Sequence, residues 1–304
     1  MAQTIGFIGL GAMGDGMSKN LLRAGFTVRG FDIERPRVDR LVEAGGAAAG
    51  SAREAAEGAD VLVVLVFTAA QAEDVLFGAD GAMESLPKGA TVVMHTTMSP
   101  GAAQAIETRL ADSGHALLDA PITGGTVGAD EGTLTIIVSG SEQAMAVARP
   151  AFEAMGRKIA YCGAAIGAGS TVKMINQMMC GILVAATAEG ISLAARAGAD
   201  PNIVYDVIAS GAARSLVWES RVPTILARDF TPRGVVEIFT KDLDIVLEAG
   251  KALDFPLPMT AMALQQFLAA AAMGHGRDDD GAVVKVYEQL TGVDVAAAAE
   301  SGSN

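Results

Sequence analysis

The first fourteen residues constrain the fold of this chain more than any later stretch. An apolar run of strand length, Thr4–Gly9, leads into Gly9-Leu10-Gly11-Ala12-Met13-Gly14, and a helix-patterned segment follows with Met17, Leu21 and Leu22 on its packing side. Glycines at this spacing have separate tasks: the first permits the tight turn, the second lets a pyrophosphate approach the backbone, and the third lets the helix pack closely on the strand. The helix N-terminus then offers unpaired N–H groups and a partial positive charge to phosphates. Asp32, at the end of the second apolar run, can accept from ribose hydroxyls and repel a 2′-phosphate, so the pattern predicts NAD over NADP. Arg35 and Arg37 stand close enough to weaken that preference. Flavin or S-adenosylmethionine at the same position of a doubly wound sheet are the minor alternatives.

The first half of the chain continues the alternation. Thr27–Phe31, Asp60–Val66, Thr91–His95 and Ala116–Asp119 are further strand-length runs, separated by helix-like segments such as Ser51–Glu57 and Gly101–Asp112. Continuous apolar runs alternating with helices predict a parallel, doubly wound sheet buried on both faces. Thr133–Val138 and Lys158–Tyr161 are expected to extend it. Beyond Gly163 the pattern becomes helical: Ser170–Ala197 forms one long helix closed by Gly198, followed by Pro201–Ala209, Val235–Leu253 and Pro258–Ala272. The tail Ala296–Asn304 is expected to fray. The fold class is therefore α/β: an N-terminal Rossmann-type domain over 1–165, and an all-helical domain over 166–304 that begins with the joining helix 170–197.

Composition narrows the partners. With 51% hydrophobic and 19% charged residues the chain can bury a full core, which excludes overall disorder. Its 22 Lys and Arg against 35 Asp and Glu give a net charge of −13, which argues against nucleic acid and anionic membranes as partners. An anionic substrate would need a locally positive site. Two cysteines, Cys162 and Cys180, build no disulfide framework and suit a reducing compartment. With no unbroken apolar run of membrane-spanning length and no secretory leader pattern, a soluble cytoplasmic protein is expected.

Candidate chemistry is sparse. His95, His115 and His275 show no metal-ligand spacing, and the first two, beside strands, read as packing residues. Asp278-Asp279-Asp280 reads as a solvated loop and helix cap rather than a metal site, and no metal is expected. A GxSxG elbow is missing. Lys173 falls about one turn into the long helix among Val172, Met174 and Ile175. A helix N-terminus and burial would both lower its pKa below the ordinary value of about 10.4, and a neutral amine can take a hydroxyl proton. Asn176 and Gln177 share its helical face and could orient an oxygenated substrate. Taken alone, however, Lys173 reads better as a snorkelling lysine, Cys180 as packing, and Lys241-Asp242 as a solvated pair.

Five stretches in order resemble the β-hydroxyacid dehydrogenase family across about residues 3–294: Gly9 to Gly14, Thr96-Thr97-Met98-Ser99-Pro100, Asp119-Ala120-Pro121-Ile122-Thr123-Gly124-Gly125, Gly167-Ala168-Gly169 through Lys173, and Lys241-Asp242-Leu243. The resemblance implies an NAD(P)-dependent dehydrogenase of a small hydroxy acid. By position, Lys173 is then the catalytic base, and Thr123, Gly124 and Gly125 hold the substrate carboxylate. Asn176 and Gln177, read above from their shared helical face, are the further expected substrate contacts. Gly9, Leu10, Gly11, Ala12, Met13, Gly14, Asp32, Val66, Phe67, Thr97 and Lys241 bind the cofactor. A homodimer or homotetramer through the helical domain is also implied. Three departures bear on the substrate: Thr123 replaces the usual Ser, Gln177 the usual Asn, and Gly234 a usual bulky Phe, which should leave a roomier pocket. Together with Thr231-Pro232-Arg233-Gly234 and Ile238-Phe239-Thr240-Lys241, they most resemble the branch acting on sugar acids. Oxidation of the C2 hydroxyl of a four-carbon, L-threonate-like acid is expected, with Arg214, Ser215 and Arg233 as possible hydroxyl contacts that read better as structural. The alternatives are 3-hydroxyisobutyrate oxidation, tartronate semialdehyde (2-hydroxy-3-oxopropionate) reduction, or a non-catalytic NAD-binding paralogue.

Overall fold

The structure is a computed structural model, and it describes residues 3–302. The chain divides into two compact units, one ending at Met174 and one beginning at Ile175. In the first unit, β1 (Thr4–Ile8), β2 (Thr27–Phe31), β3 (Ala47–Ala48), β4 (Val61–Val64), β5 (Thr91–Met94) and β6 (Ala116–Asp119) form one sheet in the order β3-β2-β1-β4-β5-β6. Every pairing in it is parallel. This is the doubly wound arrangement, with its switch point between β1 and β4. The runs predicted from sequence become the strands, and their period of two divides the core. Val61, Val63 and Val93 face one cluster with Met17, Leu21, Ala148 and Phe152, whereas Leu62, Val64, Val92 and Met94 face a second with Ala72, Leu76, Ile106 and Leu110. The helices covering these faces are α1 (Ala12–Arg23), α2 (Arg35–Glu43), α3 (Ala52–Ala56), α4 (Ala69–Phe77) and α5 (Pro100–Asp112), with α6 (Gly125–Glu131) and α7 (Glu142–Met155) following. The edge strand β3 has only two alanines, too few for a pattern to announce it.

One expectation fails at the end of this unit. Thr133–Val138 and Lys158–Tyr161 do not extend the large sheet. They form β8 (Leu134–Val138) and β9 (Gly156–Tyr161) of a separate three-stranded sheet with β7 (Ile122–Thr123). Pro121, which has no N–H for a ladder, follows β6, and β7 then pairs antiparallel with β8. A bridge between Asp119 and Ser139 joins the two sheets.

The long helix α8 spans Ala168–Arg196 and crosses the division between the units. It ends in a Schellman arrangement at Gly198 (φ +77°), with Gly198 N donating to Ala195 O and Ala199 N to Ala194 O. By length and composition α8 could cross a membrane, but its Val184, Ala188 and Ile191 are core residues of the second unit. That unit adds α9 (Pro201–Ser210), α10 (Leu216–Leu226), α11 (Val236–Ala252), α12 (Pro258–Ala270), α13 (Val284–Thr291) and α14 (Val295–Gly302). Its core joins Trp218, Val222 and Ile225 to Leu243, Leu264 and a stacked Phe239–Phe267 pair with ring centroids 4.9 Å apart. Gly181 lets α11 approach α8, since a Cβ there would fall 2.9 Å from Leu243 Cδ2. The tail expected to fray is instead helical up to Gly302, because Val295, Ala296 and Ala299 are buried; Ser303 and Asn304 lie outside the described residues.

Candidate active site

The glycine-rich turn has the shape that a dinucleotide needs. Gly9 adopts φ +96°, and a Cβ there would strike Leu65 O at 2.0 Å; one on Gly14 would strike Gly9 O at 2.1 Å. Only glycine fits either place. At Gly11 the one neighbour within reach of a Cβ is Arg37 Nη1 at 4.0 Å, which leaves the backbone at the start of α1 approachable, as the second glycine of a pyrophosphate cradle requires. Leu10 N donates to Asp32 Oδ2 at 2.8 Å, and Ala12 and Met13 open α1. Asp32 also accepts from Glu34 N at 2.9 Å and from Arg37 Nη1 at 3.2 Å. Asp32 therefore binds the turn to the end of β2 and pairs with the arginine that could otherwise meet a 2′-phosphate. Val66 N donates to the buried Thr96 hydroxyl at 2.9 Å, Phe67 is half exposed, and Thr97 is next in chain after Thr96.

The segment 119–125 and the start of α8 are joined by a carboxylate that the sequence reading left without a role. Asp119 is fully buried and accepts from Gly167 N (3.1 Å), Ser170 N (2.8 Å), Ser170 Oγ (2.7 Å) and Ser139 Oγ (3.2 Å). Ser139 Oγ in turn accepts from Gly169 N at 3.0 Å. The first turn of α8 is thus capped by an anion, three to six residues before Lys173. Lys173 itself is 7% exposed. Lys173 is accordingly not a snorkelling surface lysine. Thr123 ends β7, and Gly124 (φ +133°) and Gly125 (φ +65°) turn the chain into α6 in conformations that favour glycine.

In the second unit a row of polar side chains lies on α8 and α11. Asn176 Nδ2 donates to Gln177 Oε1 (3.0 Å), Gln177 Nε2 to Asp242 Oδ2 (2.6 Å), and Lys241 Nζ to Asp242 Oδ1 (2.6 Å). Asp242 and Gln177 are buried and Lys241 is mostly so; the pair is not solvated as its local sequence suggested.

Further along the unit, Asp278-Asp279-Asp280 is likewise not a solvated loop. Asp279 does cap the short 3₁₀ turn Asp280–Val283, as expected of a cap, but Asp279 and Asp280 are buried. Arg221 holds Asp280 in a two-pronged pair of 2.5 and 2.8 Å. Burial opposes the Arg221 charge, but the Asp280 and Asp279 carboxylates outweigh it and push the guanidinium above its usual value. Burial also raises the Asp280 carboxyl against the pull of Arg221. A Cβ on Gly234 would lie 3.2 Å from Asp280 Oδ2, so the room left by the missing Phe is bordered by this ion pair rather than simply empty. The candidate hydroxyl contacts are engaged otherwise: Arg214 pairs with Glu219, Arg233 with Asp229, and Ser215 caps α10. His95 packs as expected. It is buried against the Ala120 carbonyl, and burial brings its pKa down to about 4 despite that bond.

Two family profiles cover nearly the whole chain: the NAD-binding domain of 6-phosphogluconate dehydrogenase over residues 4–163, and the NAD-binding domain of NADP-dependent 3-hydroxyisobutyrate dehydrogenase over 167–287. L-threonate dehydrogenase of Cupriavidus necator is 44% identical over 94% of this chain and 97% of its own length. The chain belongs to the 3-hydroxyisobutyrate dehydrogenase-related family of β-hydroxyacid dehydrogenases. It is an NAD(P)-dependent hydroxyacid dehydrogenase of that family. Within the family, 2-hydroxy-3-oxopropionate reductase of Escherichia coli is 35% identical over 94% of this chain and 97% of its own. A crystal structure of 3-hydroxyisobutyrate dehydrogenase from Salmonella typhimurium superposes with a TM-score of 0.88 at 41% identity, covering 93% of this chain and 99% of that one.

Sequence reasoning gave Asp119 and Arg221 no role and read Asp242 as half of a solvated pair, whereas all three are held in buried or largely buried hydrogen bonds. Asp119 lies inside a motif already recognised, next to the apolar run Ala116–Leu118, so its acidity there was a usable signal. Arg221 had none, since an arginine in α10 looks like any surface cation.

Proposed function

We propose that this dehydrogenase oxidises the C2 hydroxyl of a four-carbon sugar acid such as L-threonate, using NAD. The carrying observation is the polar row Asn176–Gln177–Asp242–Lys241, which begins three residues after Lys173 on α8. Amides that are buried, as Gln177 is, or half-buried, as Asn176 is, suit hydroxyl groups, whereas the methyl of 3-hydroxyisobutyrate calls for an apolar wall. Greater identity to an L-threonate dehydrogenase than to a 2-hydroxy-3-oxopropionate reductase supports the same choice.

In this reading Gly9, Leu10, Gly11, Ala12, Met13 and Gly14 hold the pyrophosphate and Asp32 the adenosine ribose, with Val66, Phe67, Thr97 and Lys241 as the remaining cofactor contacts. The bound nicotinamide supplies the hydride acceptor. Thr123 Oγ1 and the backbone N–H groups of Gly124 and Gly125 hold the substrate carboxylate. Lys173 Nζ takes the hydroxyl proton as the C–H bond breaks, and burial favours the neutral amine needed for this. Asn176 and Gln177 orient the remaining hydroxyls. Asp32, already paired with Arg37, supports NAD over NADP. Cys162 and Cys180, neither of them in a disulfide, fit a cytoplasmic setting. The exposed apolar residues Ile175, Met179, Met259 and Met262 of the second unit support assembly as a homodimer or homotetramer.

Steady-state rates with L-threonate, erythronate, glycerate, 3-hydroxyisobutyrate and tartronate semialdehyde, each with NAD(H) and NADP(H), test this reading. The expected result is a kcat/KM for L-threonate and NAD at least about tenfold above every other pair. A higher value for 3-hydroxyisobutyrate or tartronate semialdehyde would overturn the sugar-acid reading.

A further inference from the structure

The polar row in the second unit has a direction, and one residue sets it. An ionised carboxylate only accepts hydrogen bonds, an ammonium only donates, and a primary amide has one end of each kind. Asp242 is 2% exposed and receives Lys241 Nζ on one oxygen and Gln177 Nε2 on the other. Gln177 must therefore turn its NH2 toward Asp242, which leaves Oε1 toward Asn176. Asn176 must answer with its NH2, whose nitrogen also lies 3.7 Å from Cys180 Sγ. The end of Asn176 left over is the carbonyl oxygen.

We propose that Asp242 is a positioning residue that acts through Gln177 to present Asn176 Oδ1, and not its NH2, to the substrate. The site then offers an acceptor to a donating hydroxyl of the hydroxy acid. The orientation follows from the row alone; its use on a substrate hydroxyl rests on the function proposed above.

The test is a double-variant cycle of Asp242→Asn and Asn176→Asp. In D242N the Lys241 ammonium keeps the amide oxygen on its side, so the new NH2 faces Gln177. Gln177 turns over, Asn176 turns over after it, and a donor replaces the acceptor at the substrate. N176D in the parent protein sets one acceptor against Gln177 Oε1; in D242N it accepts from the turned Gln177 and still presents an oxygen. N176D is therefore expected to lower Tm by about 3 °C or more in the parent and to raise it in D242N, without substrate present. The kcat/KM for the preferred hydroxy acid is expected to fall about 10–100-fold in D242N and to recover substantially in D242N/N176D.

A purely structural role for Asp242 moves Tm but gives no such reversal of sign. Equal loss of Tm from N176D in both backgrounds overturns the relay. Reversal in Tm without recovery of kcat/KM overturns its use on the substrate. If D242N does not fold, higher soluble yield of D242N/N176D than of D242N supports the relay, and equal failure overturns it. Reversal in Tm with no turnover of any sugar acid would retain the relay and refute the proposed substrate, so the two claims fail separately.

Discussion

Asp119 should be worth far more to this protein than its charge alone. Replacing it with Asn keeps the shape. The amide oxygen can take the place of Oδ2 and still accept from Gly167 N, Ser170 N and Ser139 Oγ, while the NH2 replaces Oδ1 and donates to a rotated Ser170 hydroxyl. Only the charge assistance is lost, so D119N should cost about 1–2 kcal/mol. Asp119→Ala removes every acceptor and leaves two backbone N–H groups and two hydroxyls to find new partners in a dry interior. Unmet buried donors cost about 1–3 kcal/mol each, partly relieved by relaxation, so about 4 kcal/mol is expected. At about 2–4 °C per kcal/mol for a unit of this size, thermal unfolding followed by circular dichroism should show D119N lowered by a few degrees and D119A by about 10 °C. Because the same carboxylate fixes the start of α8, kcat should fall in D119A more than in D119N. Equal destabilisation by the two variants would refute the assignment of Asp119 as a multiple acceptor.

Two further outcomes follow from the same geometry. Asp32→Ser keeps an acceptor for Leu10 N but releases Arg37, which stands beside Gly11; the ratio of kcat/KM with NADP to that with NAD should rise at least about tenfold, and an unchanged ratio would remove Asp32 as the discriminator. His95, brought to about 4 from 6.5 chiefly by burial, stays neutral in the fold while the unfolded chain takes up a proton as pH falls. Its contribution is thus fully present above pH 6.5 and is lost between 6.5 and about 4, amounting to about 3 kcal/mol. His95→Gln should show a smaller drop in Tm between pH 7.5 and 4.5 than the parent, and parallel curves would contradict this.

The sheet was legible because strands buried on both faces are apolar almost throughout, as in Val61–Val64 and, after Thr91, in Thr91–Met94, and because the Gly9–Gly14 turn admits few alternatives. The small second sheet was not legible, since strand-like runs such as Leu134–Val138 carry no mark of which sheet they will join; Pro121 and the antiparallel pairing of β7 decide that. The C-terminal helix was missed because alanines look indifferent until neighbouring helices bury Ala296 and Ala299. In the site, motif positions could be named from sequence, but not the hydrogen bonds that orient them. Lys241-Asp242 resembles a solvated pair until α8 brings Gln177 to the carboxylate. The Asp279–Asp280 pair looks exposed until Arg221 arrives from a helix about sixty residues earlier.

The central claim, that Lys173 Nζ takes the proton from the substrate hydroxyl, is tested most directly by Lys173→Ala. With NAD affinity measured by titration and turnover measured at saturating hydroxy acid, the account predicts cofactor binding within a few-fold of the parent and kcat reduced by about 10²–10⁴. An active Lys173→Ala enzyme, with kcat within a few-fold of the parent, would contradict it.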